Sequence, residues 1–417
     1  MKKIFVFSFL FLCISFSNAF ASSDKNSDYR ENEILVKFKK NFFKTNLEKN
    51  LQEFSKTYNL SYKKEENLCQ KMNCYFLFRM ENPIKPRDEF IEEISKDNLV
   101  KFSQPNYVFR SFGKRNNYGI SRDRFSKQEW WIYNNGKIGT SGSDIGAAGN
   151  WSKEQKSWTD VAIGIIDSGL NTAHTDIKRN IIAGYDFVHS KKKKIQDKDG
   201  HGSFIAGLIA SEVNNKKGIA GLSRWNNLKI MPLKFDFSTQ EAVEAVSFAK
   251  SKGIRILNMS WGTSEFDQAL YDAIKDYNGL VFAASGNEGL EHTSDHHFYP
   301  CDFDLDNIIC VAASDENDRL ASYSDWSKES VDLVAPGGDE APLISLDTKK
   351  NRYVSGIGSS YATALTSGSA GLILSSHPNY SNTEIKNAIL ENVRKKPELE
   401  EKVLTGGILN VPGAMGL

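Results

Sequence analysis

Several residue types that define whole classes of protein are scarce in this chain. Its 417 residues hold 10 Pro against 30 Gly, which excludes a collagen-like repeat and an extended proline-rich architecture. Five cysteines are too few for a disulfide scaffold, and none stand in the C-x-x-C spacing of a zinc ribbon. An excess of either charge is also missing, because 53 basic and 52 acidic side chains leave a formal charge of +1. That balance gives no electrostatic footprint for a nucleic-acid partner. What is present is ample apolar material, 40% hydrophobic and 12% aromatic, enough for a sizeable core in two or three compact units.

The first 21 residues differ from the rest. Lys2 and Lys3 precede an apolar run from Ile4 to Phe16, and Ala19-Phe20-Ala21 forms an A-x-A pattern before Ser22. This reads as a secretory signal peptide at 1–21, because the run is short of the roughly 20 residues that span a bilayer. No later segment is apolar enough to span, so a secreted or periplasmic protein is expected. Cys69, Cys74, Cys301 and Cys310 remain after removal of the signal. In an oxidising compartment they allow three pairings, of which locality favours 69 with 74 and 301 with 310.

Three further segments follow. Residues 22–112 contain strand-like runs at Ile34–Phe38 and Tyr75–Phe78. Between them Leu47, Leu51 and Phe54 recur at helical spacing, and Phe90, Ile91 and Ile94 mark a second helix after Pro86. The pattern suggests a small α+β domain. Residues 113–126 are rich in Gly, Asn, Lys and Arg without apolar period and read as an exposed linker, with Lys114-Arg115 inviting proteolysis. From 127 to 417 short, almost continuously apolar runs alternate with amphipathic helices: Val161–Ile166, Ile254–Met259, Leu280–Ala284 and Ile308–Ala312. Strands buried on both faces belong to parallel sheets, so the class is α/β, a doubly wound and mostly parallel sheet. Ser238 and Glu241 are spaced as a capping box before a helix with Val243 and Val246 inward and Gly253 as terminator. The basic run Lys191–Lys194 reads as a solvated loop.

Functional groups of an open parallel sheet collect at the carboxyl ends of its strands. There the first strand delivers Asp167-Ser168-Gly169, the second Ser260-Trp261-Gly262 and the third Ser285-Gly286-Asn287. Two helices open with glycine-flanked polar groups, Asp199-Gly200-His201-Gly202-Ser203 and Gly358-Ser359-Ser360-Tyr361-Ala362. A serine at a helix N-terminus faces the positive end of the dipole, which favours an oxyanion forming beside it. Asp167, His201 and Ser360 thus supply an orienting carboxylate, a general base and a nucleophile.

These motifs resemble the catalytic motifs of the subtilisin-like serine proteases, the subtilase family, in the same chain order. The likeness extends from about Lys127 to Met415 and takes in Ala283-Ala284-Ser285-Gly286-Asn287, Val334-Ala335-Pro336-Gly337 and Gly406-Gly407-Ile408-Leu409-Asn410. The segment closing in Gln104-Pro105-Asn106-Tyr107-Val108 is similar to the family's inhibitory propeptide. The resemblance implies acyl transfer through a covalent intermediate, with Ser360 attacking, His201 moving the proton and Asp167 holding the imidazole. Asn287 would donate its amide to the oxyanion together with the Ser360 N–H, and loss of that side chain would cost about 3 kcal/mol. Substrate would pair as an extended strand with Ser260, Trp261 and Gly262 and with Ala284, Ser285 and Gly286; Trp261 serves equally well as a packing residue.

The resemblance also implies structural Ca2+, with Asp176 and Asn215 as ligands. The partners it implies are protein or peptide substrates and the chain's own propeptide as intramolecular inhibitor, in a monomer. Three places depart from the family's usual residues: Ser203-Phe204 stand for Thr-His, Ser359 and Tyr361 flank the nucleophile in place of Thr and Met, and Ala364 stands for Pro. Two rival readings follow from the same residues. One is an inert subtilase-fold scaffold; the other is a metal-dependent hydrolase built on His292, His296 and His297.

Overall fold

Alternation of apolar residues makes a strand of Tyr29–Phe38 (β1), and its buried Ile34, Val36 and Phe38 share one face. In the computed structural model, residues 29–43, 46–62, 68–70, 73–80, 86–107, 123–189 and 195–417 are described. They fall into two compact units that divide between residues 114 and 115. The expected signal peptide, most of the expected linker and the run Lys191–Lys194 lie outside the described residues.

In the first unit β1 is followed by a helix at Leu47–Thr57 (α1), strands at Leu60–Tyr62 (β2), Leu68–Gln70 (β3) and Asn73–Met80 (β4), a helix at Arg87–Ser95 (α2) and a strand at Val100–Tyr107 (β5). The antiparallel order is β2-β4-β1-β5, with β3 beside β4. Asn46 caps α1 by accepting from the Lys49 N–H, and Leu51 and Phe54 of that helix are buried. Phe38 stacks on Phe42 at 3.7 Å and meets Phe54, Phe76 and Phe78 edge-on. The α+β class agrees with the pattern, but three strands escaped it. Two of them have three residues each, and β5 carries Pro105 and polar residues, being held by its pairing with β1. Cys69 and Cys74 stand opposite each other between β3 and β4; their side chains lie outside the described residues.

The second unit is built on a nine-stranded sheet. Its elements in chain order are α3 (Ala147–Asn150), β6 (Val161–Asp167), β7 (Tyr185–Asp186), α4 (His201–Ala210), β8 (Leu228–Lys234), α5 (Thr239–Ser251), β9 (Ile256–Met259), α6 (Gln268–Lys275), β10 (Leu280–Ala284), β11 (Ile308–Ser314) and β12 (Leu333–Pro336). A hairpin of β13 (Leu343–Leu346) and β14 (Tyr353–Gly356) then leads to α7 (Ser359–Ser376), α8 (Asn382–Leu390), β15 (Arg394–Lys395), β16 (Gly407–Ile408) and α9 (Val411–Ala414).

The strand order is β15-β16-β12-β11-β10-β9-β6-β8-β7, parallel except at β15. Both faces are covered, which is why its strands read as unbroken apolar runs. Ile163 and Ile165 pack with α4 and α7 on one face, while Ile166 packs on the other with Ala242, Val246, Leu270 and Ile274 of α5 and α6. Ser238 caps α5, but the Glu241 carboxylate accepts from the Asp236 N–H rather than from that of Ser238, so the expected box is half formed. Val243 is only half-buried, and Ala242, Ala245 and Val246 turn inward instead. Cys301 and Cys310 form a buried disulfide. No described helix is long and apolar enough to cross a membrane.

Candidate active site

The chain leaves β6 to build β8 on one side and returns to build β9 on the other. This switch in direction opens a crevice at the carboxyl ends of β6 and β9, the place where open α/β sheets bind their ligands. Asp167 ends β6, Ser260 follows β9, and α4 and α7 start beside them with His201 and Ser360.

Asp167 is 1% exposed and its two carboxylate oxygens lie 3.0 and 2.9 Å from Nδ1 of His201. That contact places the ring hydrogen on Nδ1 and leaves Nε2 to accept a proton. Burial works against a charged imidazole here, yet the charge and hydrogen bond of Asp167, with Asp199 and Asp197 beyond, outweigh it and hold His201 above its ordinary value. Asp197 ties the acid and histidine motifs together. It is 2% exposed and accepts from Ser168 Oγ and the Asp199 and Gly200 N–H groups on one oxygen, and from the Ser203 N–H and hydroxyl on the other. Gly202 is required because a Cβ there would stand 2.2 Å from the Gly169 carbonyl.

Ser360 lies in the first turn of α7, where backbone N–H groups lack intrahelical acceptors. Its hydroxyl donates to the Ser260 carbonyl at 2.9 Å, and Ser260 Oγ donates back to the Ser360 carbonyl at 2.9 Å. Asn287 is exposed, and its Oδ1 accepts from the Ser359 N–H at 2.8 Å, so its amide hydrogens are left to point elsewhere. Gly286 has φ +114°, and a Cβ there would lie 2.0 Å from Asp325 Oδ2. Asp325 carries this turn by accepting from the Glu288 and Leu290 N–H groups at 2.8 and 2.9 Å. Neither Asp197 nor Asp325 was singled out from sequence. Asp197 follows the basic run that reads as a solvated loop, and nothing in the sequence marks Asp325.

Two departures from the family pattern prove to be neighbours. Phe204 stacks on Tyr361 with ring centroids 4.0 Å apart, and the Tyr361 ring lies 6.3 Å from that of His201. Burial, with Asp167 and Asp199 nearby, pushes the Tyr361 phenol up to about 12. Ser203 keeps a hydroxyl role by donating to Asp197, and Ser359 Oγ accepts from the Gly286 N–H at 3.3 Å. Ala364 is buried within α7, which continues through it unbroken to Ser376.

The expected substrate strand is only partly open. Gly262 is exposed and Trp261 half-buried, whereas Ser260, Ala284, Ser285 and Gly286 are buried. Trp261 donates from Nε1 to the Ile166 carbonyl at 2.7 Å and packs on Phe235, so its ring has a structural task.

Asp176 and Asn215 do meet, but as a hydrogen-bonded pair. Asp176 Oδ1 accepts the Asn215 amide at 2.6 Å, and Oδ2 accepts from the Ile219 N–H and the Tyr353 hydroxyl. Asn215 Oδ1 in turn accepts from the Lys217 N–H, while Asp123 takes the Asn214 and Lys216 N–H groups. Calcium needs six to eight oxygen ligands with free lone pairs. Donors engage three of the roughly four lone-pair sites of Asp176 and one of the two on Asn215 Oδ1, so the pair as arranged offers an ion few free ligands. The stretch that carries His292, His296 and His297 is not helical. Thr293 and His296 form an isolated bridge, and the grouping of His292, Cys301 and Asp302 has its sulfur bound to Cys310.

Residues 159–406 match the model of the subtilase family. The chain is 28% identical over 388 residues to a thermophilic serine proteinase of Bacillus sp. (strain AK1), covering 89% of this chain and 84% of that one. It is 31% identical over 235 residues to subtilisin DY of Bacillus licheniformis, covering 55% and 82%. Among solved structures, a protease from Pseudoalteromonas arctica superposes with a TM-score of 0.59 at 20% identity, over 71% of this chain and 99% of that one, a likeness of fold. A family match of this extent, with relatives that are serine proteinases along most of their length, has one consequence: the chain belongs to the subtilase family and is a serine-type endopeptidase.

Proposed function

We propose that the chain is an exported endopeptidase made as a zymogen, which cleaves peptide bonds through Asp167, His201 and Ser360. The observation that carries this reading is the pair of contacts from both Asp167 oxygens to His201 Nδ1, made at the start of α4 in the switch-point crevice. His201 Nε2 would take the proton of Ser360 as the hydroxyl attacks the scissile carbonyl, then return it to the leaving amine. The carboxylate keeps the ring in the required tautomer and stabilises the imidazolium that forms. The oxyanion would be met by the amide of Asn287 and by N–H groups at the start of α7.

The first 21 residues would direct export, to the periplasm or outside the cell. The α+β unit would act as intramolecular inhibitor until cleavage within residues 110–124 removes it. Structural calcium is common among subtilases, but for Asp176 and Asn215 we propose an ion-free role, joining the segments that carry Thr175, Lys217 and Tyr353. The experiment is the intact mass of exported protein, wild type against Ser360→Ala expressed identically. Shortening near 110–124 in the wild type alone supports a working nucleophile and a self-maturing zymogen. Absence of shortening in both would favour the inert scaffold, for which the Phe204–Tyr361 stack beside His201 is the specific observation.

A further inference from the structure

A second His–Asp pair lies behind the segment that carries Asn287. The side chains of His292 and Asp302 are 2% and 4% exposed, and His292 Nδ1 stands 2.7 Å from Asp302 Oδ1. On the other side of the ring, Nε2 stands 2.8 Å from the Ser285 carbonyl. A carbonyl can only accept, and an ionised carboxylate can only accept. Both ring nitrogens must therefore carry hydrogen, which makes His292 an imidazolium. Burial alone would discharge the ring, but the hydrogen bond and charge of Asp302, the Ser285 carbonyl and the charge of Asp325 hold its proton on. Burial likewise pushes the Asp302 carboxyl up, and His292, Ser330 and the Phe298 N–H together pull it below its ordinary value. The remaining groups that face the pair are Ser330 Oγ at 3.4 Å, the His296 ring at 5.9 Å and His297 Nδ1, 3.4 Å from Asp302 Oδ2.

The Ser285 carbonyl and the Gly286 N–H belong to one planar peptide unit. His292 holds the carbonyl end, and Ser359 Oγ holds the N–H end at 3.3 Å. The next residue is Asn287, whose Oδ1 is held by the Ser359 N–H. Rotation of that peptide plane would swing Asn287 away from the nucleophile, and only one end of the plane is pinned by the helix that bears Ser360.

We propose that His292, paired with Asp302, is a positioning residue of the oxyanion hole, which aims the Asn287 amide by fixing the Ser285–Gly286 peptide; the proposal rests on the peptidase reading of the same site. His292 touches no reacting atom and acts through Asn287.

The test is a double-mutant cycle in protein expressed as the full chain and then matured, with kcat and KM read on a fluorogenic peptide selected from a mixed library. Asn287→Ala lowers kcat by about 10²- to 10³-fold. His292→Ala should lower kcat by about tenfold or more with KM within about twofold. In the Asn287→Ala background the same change should alter kcat by less than about twofold, because its route of action is gone. His292→Gln retains an amide hydrogen for the Ser285 carbonyl, so it should keep more kcat than Ala, and it carries the cycle should the Ala variant fail to fold. An equal loss in both backgrounds, or no loss with Asn287 intact, overturns the proposal. Activity that survives Ser360→Ala would instead sink the assignment of Ser360 as nucleophile, on which the oxyanion-hole reading rests.

Discussion

Two His–Asp pairs of the second unit, Asp167–His201 and Asp302–His292, are nearly identical as contacts and opposite as devices. The shorter Asp167–His201 contact is 2.9 Å and the Asp302–His292 contact 2.7 Å. What differs is the far ring nitrogen. His201 keeps a side chain 26% exposed, at the start of a helix, whereas His292 is 2% exposed and points Nε2 at a backbone carbonyl. The first nitrogen can receive a proton and the second must give a hydrogen. A carboxylate beside a histidine therefore does not define a catalytic base; the group on the far side of the ring decides between a base and a strut.

The comparison breaks hardest at His201. His201→Ala should lower kcat by on the order of 10⁶-fold, a scale known from a subtilisin rather than from this chain. This would be read by single-turnover assay against the tenfold scale expected at His292. A loss at His201 no larger than that at His292 would erase the distinction between the two pairs.

Proton demand sharpens the contrast. Both rings are held above their ordinary value of about 6.5. In the proposed mechanism His201 acts as a neutral base, so kcat/KM should rise with pH through a point above 6.5. His292 works charged. Its contribution to stability is fully present below about 6.5 and is lost as pH rises through its raised value in the folded protein. The melting temperature of the Ser360→Ala variant should thus fall on the alkaline side, and His292→Gln should flatten that fall. A melting temperature that depends on alkaline pH equally in both variants would count against the strut.

The smallest effect is expected away from both pairs. With Asp176 largely engaged by hydrogen donors, EDTA should shift the melting temperature by no more than about 1 °C, since a ligand that does not bind adds no stability. A large loss on chelation, restored by Ca2+, would show that the loop around Asn215 rearranges to hold the ion.

The central sheet was legible because β6, β9, β10 and β11 are buried on both faces and read as unbroken apolar runs. Strands of two residues such as β7, β15 and β16 carry no period at all. Asp167, His201 and Ser360 were legible for a local reason, each being flanked by the glycine or small residue that close approach requires. Asp197, Asp325 and the His292–Asp302 pair were not, because their partners are set by tertiary contact. The spacing of His292, His296 and His297 would suit a metal on a helix, although the stretch follows a glycine and precedes Pro300. In the structure His292 turns to a residue ten positions on, and the stretch is not helical.

The Phe204–Tyr361 stack has a chemical corollary. Where the family usually places methionine after the nucleophile, this chain has a phenol packed face to face on a phenyl ring. A thioether at that place could take up oxygen to become a polar sulfoxide beside the reacting groups. No sulfur stands there to be oxidised, so peroxide has no such route to silencing the nucleophile.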